Sequence, residues 1–393
     1  MDDNFIEKYP QGFWETHGKK FINKYQAILH SKNNFHSPIY YKYFNSVWEN
    51  FDRSLLGTVP LKELYKQRAQ QLRDKYDYLI VYFSGGADSY NALMSFIENG
   101  IRIDEVCVKW CNDTYTAHTQ IYQPNVQVGT ATNYLSEWDF AIKPVLEWLG
   151  QHHPEVNIEI VDWFKDKNLI TSAEVFNKVN HWHDVEVTSL AVWSPSERKL
   201  IEQGKTVGSI YGIDKPCTYF ADGEAYLYFP DGGTAMGTPN DINIFGTEYF
   251  YWSPDLPLLT FEMANQAIRA FNTDKELAKI SITEESVKVP DFILMAWQLQ
   301  QKKLRHVLYD NWTDRFQAYK PVTQDRSDKH WWIFRHPELV KFKEGYTDML
   351  NLHLDQLGDS PYLGYRVEKS RTTPYKPIPS KKHFVCKCSN PGL

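Results

Sequence analysis

The sequence predicts an α/β protein built on a parallel β-sheet, and three observations carry that prediction. From residue 78 onward, short apolar runs alternate with helical stretches, the order expected of a parallel sheet with right-handed crossovers. The first run, "YLIVYF" (78–83), is β-branched and aromatic and apolar on both faces, as a strand covered on both sides reads. It stops on "SGGADS" (84–89) and resumes with Leu93, Phe96 and Ile97 at helical spacing, ending at Asn99-Gly100. That is a strand–loop–helix unit.

The elements follow in order. Residues 1–75 read as a mainly helical N-terminal extension, in which Thr58-Val59-Pro60 opens a helix leading to the first strand. Residues 76–250 form the α/β domain. "DEVCVKW" (104–110) and "VNIEIVDW" (156–163) are its second and third strands, joined by a helix over 133–150 bent near Pro144. "SPSERKLIEQG" (194–204) is helical and "TVGSIYGI" (206–213) a further strand; "YFADGEAYLYFPDGG" (219–233) is an antiparallel hairpin turning at Asp222-Gly223. Residues 251–393 read as mainly helical and Trp-rich, with the Pro- and Lys-rich tail running irregularly over the surface.

Composition narrows the function. With 43 Lys+Arg against 49 Asp+Glu, the formal charge of −6 gives no global attraction to nucleic acid or anionic membrane, although it leaves room for a local basic patch. No apolar run approaches the roughly 20 residues of a membrane span, and the acidic start "MDDNF" lacks a secretory apolar region. Five cysteines without framework spacing suit a reducing compartment, so a soluble cytoplasmic protein is expected. The 13 Trp, 25 Tyr and 22 Phe fit either an aromatic core or a base-stacking surface.

The loop carries the chemistry. A turn at the C-terminal end of a buried parallel strand, opening a helix, is where open α/β sheets bind ligands. Gly85 and Gly86 remove side chains that would keep an anion from the backbone, and the N–H groups of the following helix start favour negative charge. Ser84 and Ser89 add hydroxyl donors, and Asp88 can hold magnesium against phosphates. The Walker pattern is excluded because Asp88-Ser89 stands where a Lys-Ser/Thr pair is needed. The plainer reading is an ordinary turn with Asp88 capping the helix; the strand before and the helix after favour a pyrophosphate site.

"YFSGGADSYNAL" resembles the signature loop of the PP-loop ATP pyrophosphatases, the adenine-nucleotide alpha-hydrolase-like superfamily, with Ser84, Gly85, Gly86, Asp88 and Ser89 matching over a region of about 76–216. That group includes asparagine, GMP and NAD synthetases and enzymes of tRNA thiolation and the queuosine pathway. The resemblance implies a five-stranded parallel, Rossmann-like (HUP) sheet with helices on both faces. It implies ATP and magnesium as cofactors, cleavage between the α and β phosphates, and an adenylylated substrate. Adenine would lie at the end of the second strand, near Val108, Lys109 and Trp110. "YGIDKP" (211–216) is similar to a late-strand element of asparagine synthetase-like members. By that similarity Gly212 borders the site, Asp214 helps to bind either the magnesium held by Asp88 or the pyrophosphate, and Lys215 offsets charge on the departing pyrophosphate.

The chain departs from the named members. Asp2 and Asp3 follow the first Met where glutamine-dependent synthetases carry a nucleophilic cysteine, and 75 residues are too few for that glutaminase domain. The four-cysteine zinc site and the Cys-x-x-Cys pair of other branches are absent; Cys386 and Cys388 are the only close C-terminal pair. Argininosuccinate synthetase has Thr at the position of Ser89. The preferred expectation is an AMP-forming ligase in which a substrate oxygen is adenylylated and a nitrogen nucleophile then displaces AMP. Its acceptor, small molecule or nucleic acid, is left open. A sulfur-inserting or base-modifying enzyme acting on nucleic acid, with Cys217 as a sulfur carrier, and an ATP-sensing regulator without turnover stand as alternatives. "HWHD" (181–184) groups ligand-type residues, but their spacing makes them diverge. "GTEYFYWSPDLPLL" (246–259) resembles a segment of phage-encoded members, and Glu248 and Tyr249 in it either line a pocket or pack in the core.

Overall fold

A computed structural model describes residues 12–22, 24–35, 37–110, 138–162, 194–212, 215–229, 246–283, 286, 300, 303–309 and 380–388. The first of these add a small sheet to the helices expected at the N-terminus. Phe13–Thr16 (β1) and Lys19–Phe21 (β2) form a hairpin, helix α1 spans Lys24–Asn33, and Ile39–Lys42 (β3) pairs antiparallel with β1 on its other side. The signal is the two-residue turn His17-Gly18, both at positive φ (49° and 72°), which matches the twist of a tight hairpin. A short helix, Asn45–Glu49 (α2), follows. Leu61–Lys75 (α3) begins directly after Pro60, as the sequence indicates.

The α/β expectation holds in its coarse form. Tyr78–Tyr82 (β4) leads through the loop to Ala87–Ile97 (α4) and Glu105–Trp110 (β5). Trp138–Ile142 is a π-helical turn running into Lys143–His152 (α5), so the bend near Pro144 is a change of helix type with Pro144 in the first turn. Asn157–Asp162 (β6), Pro195–Glu202 (α6) and Val207–Tyr211 (β7) complete the alternation. Cys217–Ala221 (β8) and Glu224–Tyr228 (β9) are the expected hairpin, with Asp222 and Gly223 at φ 53° and 74°. Thr247–Tyr249 (β10) then adds a fifth strand that sequence reading left unassigned.

These strands form one parallel five-stranded sheet in the order β10-β7-β4-β5-β6. Numbered by their order along the chain, the five read 5-4-1-2-3 across the sheet. The order therefore reverses between β4 and β7, whose residues pair from Tyr78↔Val207 to Tyr82↔Tyr211. The central strand is buried on both sides, with Leu79, Ile80 and Val81 at 0% exposure. Helices cover both faces. The start of α4 packs on Gly212, whereas Glu197 of α6 bonds Tyr82 and Ser209, which point the other way.

Pro257–Thr273 (α7) and Lys275–Ala278 (α8) follow, and 303–308 is helical. The tail is corrected in part: His383–Lys387 (β11) joins the hairpin sheet in the order β11-β9-β8, burying His383 and Val385. Many of the described aromatics serve the core. Tyr43 donates to the Trp252 carbonyl, Trp48 Nε1 donates to the Tyr43 carbonyl at 2.9 Å, and Phe51 stacks on Phe261 at 4.1 Å. These contacts fasten the N-terminal region to α7 and its preceding loop. Among the described residues no helix is long and apolar enough to cross a membrane.

Candidate functional site

The loop continues the ladder for one residue and then leaves it: Phe83 N–H donates to the Cys107 carbonyl at 2.9 Å. Gly85 takes φ 76°, a conformation other residues rarely adopt. Gly86 is the N-cap of α4 with no side-chain cap, so the first-turn N–H groups are left to other partners. The serines hold the loop's shape. Ser89 Oγ donates to the Gly86 carbonyl at 3.1 Å and accepts the Ser84 N–H at 3.3 Å; the two hydroxyls are 3.2 Å apart. Among the described residues a methyl group placed on Gly86 would meet only Ser84 Oγ, at 3.5 Å. The described residues thus leave the space beside Gly86 open, as a cradle for an anion requires.

Gly212, at the end of β7, has a packing role. A methyl group there would lie 2.5 Å from Ser89 Cα and 2.8 Å from the Asp88 carbonyl oxygen. Only glycine lets this strand end lie against the first turn of α4, and that contact sets the loop against the β7 edge.

Lys215, three residues further on, is 3% exposed, and its Nζ donates to Asp88 Oδ1 at 2.8 Å. The juxtaposition inferred between residues far apart in sequence is present for this pair. Asp214 lies outside the described residues, as does "HWHD" (181–184). Asp88 has further partners that sequence reasoning missed. Tyr309 OH donates to the same Asp88 oxygen, and Tyr251 OH donates to the Asp88 carbonyl at 2.7 Å while accepting from Asn91. The two tyrosine rings stack at 6.1 Å. Burial, then the charge of Asp88, pushes both phenols well up, so they remain donors. They reach the loop from 163 and 221 residues away, and no local pattern marks them.

At the end of β5 the expected adenine-binding residues are packed by their side chains. Val108 is 0% exposed, and Trp110 lies 4.6 Å from the Trp138 ring. The Lys109 ammonium sits 4.8 Å over Tyr82 and 5.7 Å over Tyr211, whose rings stack in parallel at 4.7 Å across the reversal point. Burial pushes Lys109 down to about 8. Beneath them Glu197 accepts from Tyr82 OH at 2.8 Å and from Ser209 Oγ at 2.5 Å. A ligand at this strand end would therefore meet the edge formed by the packed residues, with the Lys109 side chain on the α6 face.

Glu248 and Tyr249 resolve as core. Glu248 accepts from Arg68 at 2.8 Å and from Lys75 and Tyr76 OH at 2.7 Å each. Against the upward push of burial, Arg68 and Lys75 hold its carboxyl below the usual range. This network fastens β10 to α3. Cys217 is half-buried at the start of β8, and Cys386 and Cys388 are half-buried thiols raised by burial, Cys388 to about 11. Among the described residues no group of three or more His, Cys, Asp or Glu is placed to hold a metal.

Comparison of the chain with protein-family models, with curated proteins and with solved structures finds no match.

Proposed function

We propose that the chain is an ATP pyrophosphatase of the PP-loop type, with a Rossmann-like (HUP) sheet, that adenylylates a substrate oxygen and releases pyrophosphate. A nitrogen nucleophile then attacks the carbon bearing the activated oxygen, forming a C–N bond as the C–O bond breaks and AMP leaves with that oxygen. One observation carries this reading. The loop 84–89 leaves the central strand at the point where strand order reverses, with an open face at Gly86 and a buried lysine from the adjoining strand's exit on the same carboxylate. Ligands of open α/β sheets sit at that point.

The residues present suit a triphosphate. In this reading Ser84, Gly85, Gly86 and Ser89 cradle the leaving pyrophosphate with the first turn of α4, and Lys215 offsets the charge that grows as the α–β bond breaks. Asp88 now holds Lys215 in place. Magnesium binding at Asp88, shared with Asp214, requires that carboxylate to exchange part of its pairing with Lys215 for the metal. ATP, once bound, supplies a far better leaving group on the substrate oxygen than hydroxide, while the protein contributes position and compensating charge. Adenine would lie at the β5 exit near residues 108–110.

The test is product identity. Incubation with Mg-ATP and candidate acceptors is expected to give AMP and pyrophosphate; ADP and phosphate as main products would refute the reading. ATP binding without turnover across carboxylate, amine and nucleic-acid acceptors would favour the sensor.

A further inference from the structure

The chain's formal charge is −6, yet residues 12–44 carry five lysines, no arginine and the single acidic residue Glu15, a net of +4. This basic segment is the small sheet of β1, β2 and β3 with α1. One face of that sheet is covered: Trp14 and Tyr41 are buried, and α1 packs there, with His30 5.2 Å from the Phe21 ring. The register places Lys20, Glu15 and Tyr40 in one row across the three strands, and Lys42 opposite Phe13 in the neighbouring row. These residues share the face turned away from α1, which is covered at Phe13 (0% exposed) and open at Tyr40.

That face has the chemistry of a stacking platform. Tyr40 is 58% exposed, far more than a core tyrosine, and Lys42 lies two residues along the same strand, about 6.6 Å away by strand geometry. Lys42 pairs with Glu15 at 3.2 Å, and Lys20 lies 5.3 Å over the Phe13 ring, so both ammonium groups are held at the face. At the corner between α1 and β3, Phe35 is 99% exposed and adopts φ 57°. A bulky side chain in the left-handed region is strained, and here no burial offsets that strain. Phe35 and Tyr40 are the two most exposed large apolar side chains among the described residues, and both belong to this basic segment of an acidic chain.

We propose that this face binds single-stranded nucleic acid, with bases stacking on Tyr40 and Phe35 and phosphates meeting Lys20 and Lys42. Exposed aromatics interleaved with lysines fit single strands, whose unpaired bases offer a stacking face that a duplex withholds. Charge complementarity selects a polyanion, and the aromatics select one with flat rings.

The test is fluorescence anisotropy of a labelled 12-nucleotide oligouridine and of oligothymidine with the full chain, without ATP, across 50–200 mM salt. Because no ATP is present, failure here leaves the pyrophosphatase reading standing, and the converse also holds. Binding is expected, with Tyr40→Ala weakening it about tenfold at unchanged salt slope, and Tyr40→Phe retaining it. Lys20→Gln and Lys42→Gln should each lower the salt slope by about 0.7. Thermal melts check that the variants, all at exposed or half-exposed positions, remain folded. Absence of binding at 50 mM salt overturns the proposal. So does binding that survives the Tyr40→Ala, Lys20→Gln, Lys42→Gln triple variant. A heparin fragment bound as tightly as the oligonucleotide and equally indifferent to Tyr40→Ala would show bare ion exchange, and overturn it too.

Discussion

Gly86→Ala separates a residue kept for the fold from one kept for a ligand. Gly86 has φ −76° and ψ 159°, extended backbone that alanine adopts freely, and among the described residues the new methyl would meet only Ser84 Oγ, at an ordinary 3.5 Å. The folded protein accommodates it: restricting the unfolded chain stabilises by about 0.4–1 kcal/mol, alanine's poorer N-capping costs about 0.5–2 kcal/mol, and stability should move by less than about 2 kcal/mol. The ligand does not accommodate it. If phosphate oxygens reach the loop N–H groups at hydrogen-bond distance, the methyl occupies the same volume and displaces the anion from at least two charge-assisted bonds. At about 1.5–3 kcal/mol each, the loss is roughly 3–6 kcal/mol, or on the order of 10²–10⁴ in affinity. Gly86→Val should lose at least as much. Gly212→Ala is the contrast: its methyl would lie 2.5 Å from backbone, so overpacking should lower stability by about 1–3 kcal/mol along with affinity. Calorimetric titration with Mg-ATP beside thermal melts gives both quantities. A Gly86→Ala protein that is stable and binds ATP as wild type does would remove the loop from the site.

Two further outcomes follow from charged groups. Lys215→Ala should slow pyrophosphate formation by about 10²–10³ while ground-state ATP affinity falls much less, read from single-turnover rates beside titrations; equal losses in both would make Lys215 a plain binding residue. His383 is buried, neither ring nitrogen has a hydrogen-bond partner among the described residues, and burial first, with Lys381 and Arg53 opposing Glu49, lowers it from 6.5 to about 4. The unfolded chain therefore takes up the proton first. The stability contribution is intact above about pH 6.5 and is lost as pH falls toward 4, up to about 3 kcal/mol. Melts across that range should show this loss, and His383→Leu should flatten it; an unchanged slope would place the acid sensitivity elsewhere.

What could be read from the sequence was what is encoded locally. Strands β4, β5 and β7 are buried on both faces, so each shows as an apolar run, whereas the edge strand β6, with Ile160 44% exposed, shows by its Ile and Val residues; the loop shows as glycines at a strand–helix junction. Strand β10 is three residues long and carries Glu248, which reads as polar until Arg68 and Lys75 of a distant helix neutralise it. The β1–β3 sheet was missed because aromatic and lysine residues alternate there without a clean period, and only His17-Gly18 marks the turn. Strand β11 sits in a Lys- and Pro-rich tail whose pairing depends on a hairpin far upstream, and strand propensity reports such context poorly. In the site, Lys215 was found because it follows a strand that ends at the loop. Tyr251 and Tyr309 were not, because contacts across 163 and 221 residues leave no spacing to detect.

The pairing of β9 with β11 has a consequence in time. Ser380 holds Phe229 by reciprocal bonds spanning 151 residues, and Arg53 donates to the Phe384 carbonyl across 331. On a ribosome adding about 5–20 residues per second, the outer row of β9 N–H and C=O groups waits roughly 8–30 s for its partner strand. A β-edge left open that long is a template for a neighbouring nascent chain. That interval is when this chain is most open to pairing with a neighbour.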